Sequence, residues 1–584
     1  MSRARAFVGV WLALSCWALD GEAPARVEAA PLPASISGTV RDASGPLAGA
    51  LVQIQGTPNR TTANAQGAFT LDGVAGPPPV VVTAWAEGHY VGWATLDPSA
   101  PEWASLWQGG RAVTITLKPL PAGDNHKYGW FSFEGVHGTA SCALCHRESP
   151  EWRTGGHAQS ARNERFLALY NGTDVRGRRS PVTRWGFGGR PLPPDPGQPD
   201  YGPGFRLDAP DRTGNCAACH TPVASTVPNR TNCGWSGCHT EATVERLKDS
   251  LDANTLPVGL SGEAAEGITC EFCHKVGGVK LDPATGLPAP DMPGILSMRL
   301  RRPEPGQEVF FGTVLDVTRR VSYLPLQSRS EFCAPCHHGV FDMVLGPGVG
   351  TGETLIYDSY GEWLRSPYSH PQTGKTCQDC HMPVSSAKFF VFPERGGRVR
   401  DYAPLHEHHV RGAGDQELLR GAVTLRSSAR RAAGGRLEVE VSVTNDKTGH
   451  HVPTDAPTRS MILVVEALGP GGRPLALREG PLNPAWSGSY GGRPGKTFAR
   501  VLKDKWTGEA PTAAYWRPVS LVEDTRLAAL ATDSTRYSFD LPRGQEARVS
   551  VRLHFRRTFQ RVMELKGFQD PDVLMAEQSL QVSE

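Results

Sequence analysis

The sequence lacks an excess of charge of either sign. Its 61 Lys and Arg stand against 59 Asp and Glu, a formal net charge of +2 over 584 residues. That balance excludes a chain organised around nucleic acid or another strongly charged partner. Beyond the leader it also lacks any apolar run that reaches the ~18 residues of a membrane-spanning helix. Cysteine is absent from most of the chain. Of 13 Cys, Cys16 stands alone near the start and the others all fall between Cys142 and Cys380. No cysteine outside that stretch and the leader remains for a structural disulfide.

Glycine and proline are abundant. With 65 Gly and 49 Pro, turns and loops take a large share of the chain, which argues against a mostly helical bundle. The length exceeds one ordinary core and predicts about three or four domains. Residues 1–30 read as a signal peptide. Ser2-Arg3-Ala4-Arg5 is a short basic start, Phe7 to Leu19 is apolar, and cleavage falls near Ala25 or Ala30. A rival reading takes Ala13-Leu14-Ser15-Cys16 as a lipoprotein box, although Ala13 is a poor first residue for one. Either reading exports the chain to the periplasm or the cell surface. Membrane contact then comes only through a lipid anchor at Cys16.

Residues 33–120 carry the marks of a small β-sandwich. Ile36-Ser-Gly-Thr-Val40, Ala50-Leu-Val-Gln-Ile54 and Gly67-Ala-Phe-Thr-Leu71 alternate between apolar and polar, and Val80-Val81-Val82 is a short apolar run. Residues 420–584 read as a second β-sandwich. Leu437, Val439, Val441 and Val443 alternate, as do Val549, Val551, Leu553 and Phe555, while Met461 to Val465 fits a buried strand. Residues 121–412 are different. Pro/Gly-rich loops at 186–204 and 283–294 break them up, and helical pieces are short. Phe166, Leu167 and Tyr170 fit one helix face; Val244, Leu247 and Leu251 fit another.

That central segment holds six paired-cysteine motifs, each followed at once by His. Five are C-x-x-C-H: Cys142/Cys145/His146 (the first), Cys216/Cys219/His220 (the second), Cys270/Cys273/His274 (the fourth), Cys333/Cys336/His337 (the fifth) and Cys377/Cys380/His381 (the sixth). The third, Cys233/Cys238/His239, has a wider spacer of four residues. Paired cysteines also build zinc ribbons, redox sites and disulfides, but none of these needs a His after each second Cys. With 18 His in the chain, six such neighbours by chance is roughly a one-in-a-billion event. Covalent haem explains the spacing. Two thiols add across the two vinyl groups of one porphyrin, and the next residue offers a neutral imidazole to the iron. The expected cofactor set is six haem c, with proximal ligands His146, His220, His239, His274, His337 and His381. Thioether formation on exported, reduced thiols agrees with the leader.

The remaining His supply candidates for the far side of each iron. His137, His157, His406, His409 and His451 lead; His126, His338, His370, His408 and His450 are reserves. His89 and His554 lie in strand contexts and are not expected to ligate.

Two resemblances follow. The pattern Ser37-Gly-Thr-Val-Arg-Asp42, Gly45-Pro-Leu-Ala-Gly-Ala50, Thr61-Thr62, Gly67-Ala-Phe69 and Gly88-His-Tyr90 resembles the carboxypeptidase regulatory-like domain. This implies an immunoglobulin-like or transthyretin-like sandwich serving as an accessory or interaction module. The segments Trp152-x4-His157, Gly267-Ile-Thr-Cys-Glu-Phe-Cys-His274, Cys377-Gln-Asp-Cys-His-Met-Pro383 and Gly449-His-His-Val-Pro-Thr454 resemble bacterial multihaem cytochromes c. The group is the superfamily of hydroxylamine oxidoreductase and the multihaem nitrite reductases. The likeness spans Trp130 to about Pro457 and implies closely stacked, mostly bis-His haems in a loop-rich, partly helical body. The chain departs from that pattern in its haem count and in having no C-x-x-C-K motif, and both departures weaken any transfer of enzymatic activity.

The expected fold is therefore multidomain: an N-terminal Ig-like β-sandwich, a loop-rich and partly helical multihaem centre, and a C-terminal β-sandwich. The leading functional expectation is electron transfer along close haems, mostly of low potential because no Met ligand is implied. Partners would be other redox proteins or cytochromes, or extracellular acceptors, and a filament or other oligomer stays open. A second expectation is an oxidoreductase with one open haem acting on a small nitrogen or sulfur compound. A third treats the haems as mere core filling for a binding module.

Overall fold

The computed structural model describes residues 34–97, 100, 113–125, 128–210, 216–223, 266–290, 292–340 and 355–583. The leader with Cys16, the third motif (Cys233, Cys238, His239), His126 and the stretch of Val244, Leu247 and Leu251 lie outside these residues.

The first sandwich follows from alternation. Strand Ser35–Arg41 pairs with Ala68–Asp72 antiparallel and with Val113–Thr116 parallel, making a three-stranded sheet. A four-stranded sheet runs Arg60–Thr62, Leu51–Ile54, Val80–Trp85, Gly92–Leu96. Their inward residues form one core, including Ile36, Val40, Val52, Phe69, Leu71, Val82 and Ile115. Each such side chain taken fully from water contributes about 1.5–3 kcal/mol before entropy is counted.

The C-terminal sandwich is larger. A four-stranded sheet has the order Thr424–Ala432, Arg436–Thr444, Thr532–Asp540, Leu477–Glu479. A five-stranded sheet has the order Val519–Asp524, Gly495–Asp504, Ser460–Leu468, Ala547–Arg556, Val573–Val582. Leu437, Val439, Val441 and Val443 face Met461, Leu463, Val551 and Leu553 across one shared core. Ser460–Leu468 sits at the middle of its sheet and is buried along nearly its whole length, which is why it reads as a continuous apolar run.

Between the sandwiches the chain makes only short elements. The helix Glu164–Asn171 begins where Asn163 accepts hydrogen bonds from the Arg165 and Phe166 amides and ends at Gly172 in the left-handed region. The segment's own buried apolar cluster is small: Val223, Phe272, Val276, Met298 and Leu300. A second cluster is shared with the C-terminal sandwich, joining Leu169, Tyr170, Phe205 and Ala209 to Val501, Ala514, Trp516, Phe559 and Val562. Among the described residues no helix is long and apolar enough to cross a membrane.

Candidate functional site

Each described cysteine pair is carried on a single helical turn. In the first motif the amides of Cys145 and His146 both donate to the Cys142 carbonyl, at 3.1 and 2.8 Å. The second repeats this with Cys219 and His220 on Cys216, at 3.3 and 3.0 Å, and the fifth with Cys336 and His337 on Cys333, at 3.2 and 3.1 Å. The fourth and sixth turns start at a threonine cap, Thr269 and Thr376, whose hydroxyls accept the amides of Phe272 and Asp379. A turn of this kind sets both thiols and the imidazole on one side, because residues three and four apart share a helix face. None of the ten described cysteines forms a disulfide, and all are half-buried.

The turns gather into one group. The first-motif turn contacts the fourth, the turn Gly294–Ser297 contacts both the second and the fifth, and the Cys377 amide donates to the Ser330 hydroxyl, just ahead of the fifth motif, at 3.0 Å. Cys273 and Cys336 pack on the same small apolar cluster. The first motif therefore adjoins the fourth, the fourth adjoins the fifth, and the fifth adjoins both the second and the sixth. The Pro/Gly-rich loop ending at 294 closes on this group. A Cβ at Gly294, where φ is +58°, would lie 2.2 Å from the Ala218 carbonyl oxygen and 2.8 Å from the Cys219 sulfur, so only glycine fits there.

The motif histidines are held by their Nδ1 atoms. His220 donates to the Ser160 carbonyl at 3.1 Å, His274 to Phe311 at 2.5 Å and His381 to Arg411 at 2.5 Å. A carbonyl can only accept, so Nδ1 carries the proton and Nε2 presents a lone pair. His337 differs: its Nδ1 meets the Asp455 carboxylate at 3.2 Å. Burial pushes His146, His220 and His381 down to about 4, and lowers His274 too. They stay neutral, the form that binds a metal. Burial alone would lower His337 as well, but the Asp455 carboxylate overrides it and raises the group to about 9.

Two further imidazoles face motif histidines. His157 lies across from His337 with ring centroids 6.4 Å apart and planes at 38°. His450 lies across from His381 at 6.2 Å and 16°. An iron held between two imidazoles, about 2 Å from each nitrogen, sets ring centroids roughly 6.3 Å apart. The donor set thus fits an axially ligated haem iron. Burial lowers His157 to about 4, with His337 and His381 adding to the effect. His408 is also lowered to about 4 by burial and lies in the field of His274 and, more weakly, His146. Among the described residues no group of three or more His, Cys, Asp or Glu is arranged to hold a bare metal ion. A zinc ribbon needs such a group, whereas a porphyrin asks the protein only for axial ligands.

The remaining sequence candidates lie as follows. His137 is exposed on the two-residue strand Val136–His137. His406 donates Nδ1 to the Met382 carbonyl at 2.6 Å, next to the sixth motif. His409 is beside Glu407 at 3.7 Å, and its carbonyl packs against Gly155. His451 is turned to Glu362, 3.4 Å from its Oε1. Of the reserves, His450 faces a motif histidine, while the His408 Nδ1 donates to the His406 carbonyl at 3.0 Å. His338 pairs with Asp358 at 2.8 Å, and His370 is exposed in a turn with Gln372 and Thr373. His89 pairs with Asp42 in the first sandwich, and the ring of His554 stacks on Tyr490 at 5.2 Å. Asp455 and Glu362 went unread in the sequence. The one signal for Asp455 is its position directly after the segment Gly449–Thr454.

The model of the carboxypeptidase regulatory-like domain matches residues 35–103, so the first sandwich carries that domain. No curated protein matches the chain. Among solved structures, a penta-heme cytochrome c552 from Thermochromatium tepidum aligns with 75% of this chain and 97% of its own, at 18% identity and a TM-score of 0.47. A collagen-binding domain from a Staphylococcus aureus adhesin aligns with 27% of this chain and 97% of its own, at 6% identity and a TM-score of 0.12.

Proposed function

We propose that this chain is an exported hexahaem c-type cytochrome that transfers electrons in a respiratory or extracellular chain. The observation that carries the reading is the pair of histidine couples, His157 with His337 and His450 with His381. Each brings a distant imidazole to about 6 Å from a C-x-x-C-H imidazole, and such a couple would hold a haem iron. Covalently bound haem supplies one-electron iron chemistry. The cysteines of each motif would hold the porphyrin edges, and the motif histidines would take one axial position.

The chain's own residues do the rest. Ser160, Phe311 and Arg411 fix imidazole tautomers through their carbonyls. Burial keeps the ligating rings neutral. Contacts among the five described motifs support a reading in which electrons pass between neighbouring redox sites. His408 is assigned to the first or fourth motif, and His137, His406, His409 and His451 stand outside the couples. Export is proposed from the leader, and redox proteins or an extracellular acceptor are the proposed partners.

A second reading, an oxidoreductase with one open haem for a small nitrogen or sulfur compound, draws on the second motif. Among the described residues the ring beside His220 is Phe166, stacked at 3.7 Å, and that beside His146 is Phe390, and at neither does an imidazole stand as His157 and His450 do elsewhere.

The test is intact mass of the matured protein, electron paramagnetic resonance of its ferric form, and carbon monoxide titration of its reduced form. Six covalent haems, all low-spin and inert to carbon monoxide, are expected for electron transfer. One high-spin haem that binds carbon monoxide transfers the weight to the second reading. A chain that matures without covalent haem overturns both.

A further inference from the structure

The described motif histidines do not all share one kind of Nδ1 partner. His220, His274 and His381 donate to neutral backbone carbonyls, while His337 meets the carboxylate of Asp455. Asp455 is specifically placed for this. It has φ +58°, a left-handed conformation that a side-chain-bearing residue adopts at a cost. Its other oxygen accepts the Ser359 amide at 3.4 Å, at the start of the helix Ser359–Leu364. The neighbouring carboxylates are committed elsewhere, Asp358 to His338 and Arg365, and Glu362 to Arg526, Thr454 and His451.

A carboxylate draws the Nδ1 proton toward itself and leaves more negative charge on the ring. The ring then becomes a stronger donor through Nε2 and favours the oxidised iron over the reduced one. A carbonyl dipole acts in the same direction but more weakly. Resting on the haem reading above, we propose that Asp455 is a positioning residue that, through His337, lowers the reduction potential of the fifth-motif haem. Among the described residues that motif adjoins the second, fourth and sixth. The lowered step therefore stands at the junction of the series, where it limits how readily electrons cross from one arm to another. The sandwich that supplies Asp455 is then part of the redox machinery.

The experiment is a spectroelectrochemical titration of the full-length, haem-loaded protein and its Asp455→Asn form, with haem content and far-ultraviolet circular dichroism checked in both. One midpoint should rise by about a tenfold change in its reduction equilibrium, about 59 mV for one electron, while the others hold. Midpoints that all stay put, or all move together, overturn the proposal. If Asp455→Asn does not fold, the ferric wild-type resonance spectrum decides. One low-spin signal with a narrower g spread than the rest is expected, and uniform signals overturn the idea. Loss of the haem reading itself would show differently, as wild-type protein without covalent haem.

Discussion

The two β-sandwiches meet the central segment in different ways. At the N-terminal seam the contacts are mainly polar. Gln55 and the Gly56 amide donate to Asp316, Gln53 donates to Tyr402, Trp85 donates to Ser322, and Tyr90 donates to the Gln307 carbonyl. Arg400 completes that seam with a buried pair to Asp316 at 2.8 Å. At the C-terminal seam a shared apolar core runs through the boundary, from Tyr170 and Phe205 to Trp516 and Phe559. Asp208 receives Trp516 Nε1 and Arg517 there, each at 2.7 Å, and Lys566 reaches back to the Pro203 and Ala168 carbonyls. The same sandwich delivers His450 and Asp455 to motif histidines. A polar seam lets a module be added to a body that is already complete. An apolar seam that also supplies site residues makes the second sandwich part of that body.

The sharpest way to break this comparison is to remove one histidine from each sandwich. His450→Ala should convert one haem to a high-spin, carbon monoxide-binding centre, while His89→Ala should leave every haem spectrum unchanged. Visible and paramagnetic resonance spectra of both variants check this. Next in size, Asp208→Ala leaves Arg517 paired with Asp504 alone and should cost about 1–3 kcal/mol, read from the urea midpoint of the haem bands.

A pH test separates the seams further. Burial lowers Lys566 from the ordinary 10.5 to about 7. Between those values the unfolded chain binds the extra proton, so stability should rise as pH climbs from about 7 toward 10.5, and level off below. Lys566→Met should flatten that slope, which amounts to about 2 kcal/mol between pH 7 and 9. The smallest change is expected at the other seam. Asp316→Asn keeps the shape but loses the charge opposite Arg400, at about 1–2 kcal/mol. Limited proteolysis should then release the first sandwich sooner, with haem spectra unaltered.

Much of the scaffold was legible in the chain. Leu437, Val439, Val441 and Val443 alternate and are all buried on one strand face. Phe166, Leu167 and Tyr170 do share the short helix Glu164–Asn171. Of the near neighbours, the sequence reading favoured His451 and held His450 in reserve, yet His450 is the one that faces His381. Successive residues in extended chain point to opposite sides, and no local pattern says which side meets His381. His408 and His409 pose the same problem. Asp455 was illegible for another reason: its partner His337 lies 118 positions away, and no periodicity links a loop carboxylate to a distant imidazole.

By itself the sequence determined which side chains each motif presents together. A cysteine pair and a following His act over one helical turn, and so need nothing beyond local spacing. Alternation likewise determined the sandwich strands, because the side-chain period of a strand is a local property. Tertiary structure alone decided which imidazole faces which, and which histidine rests on a charge rather than a carbonyl. It also decided that one sandwich is an attachment and the other a supplier of the site. Those outcomes depend on contacts between residues far apart in the chain, set by how the apolar seam closes and which polar groups it must satisfy as it does.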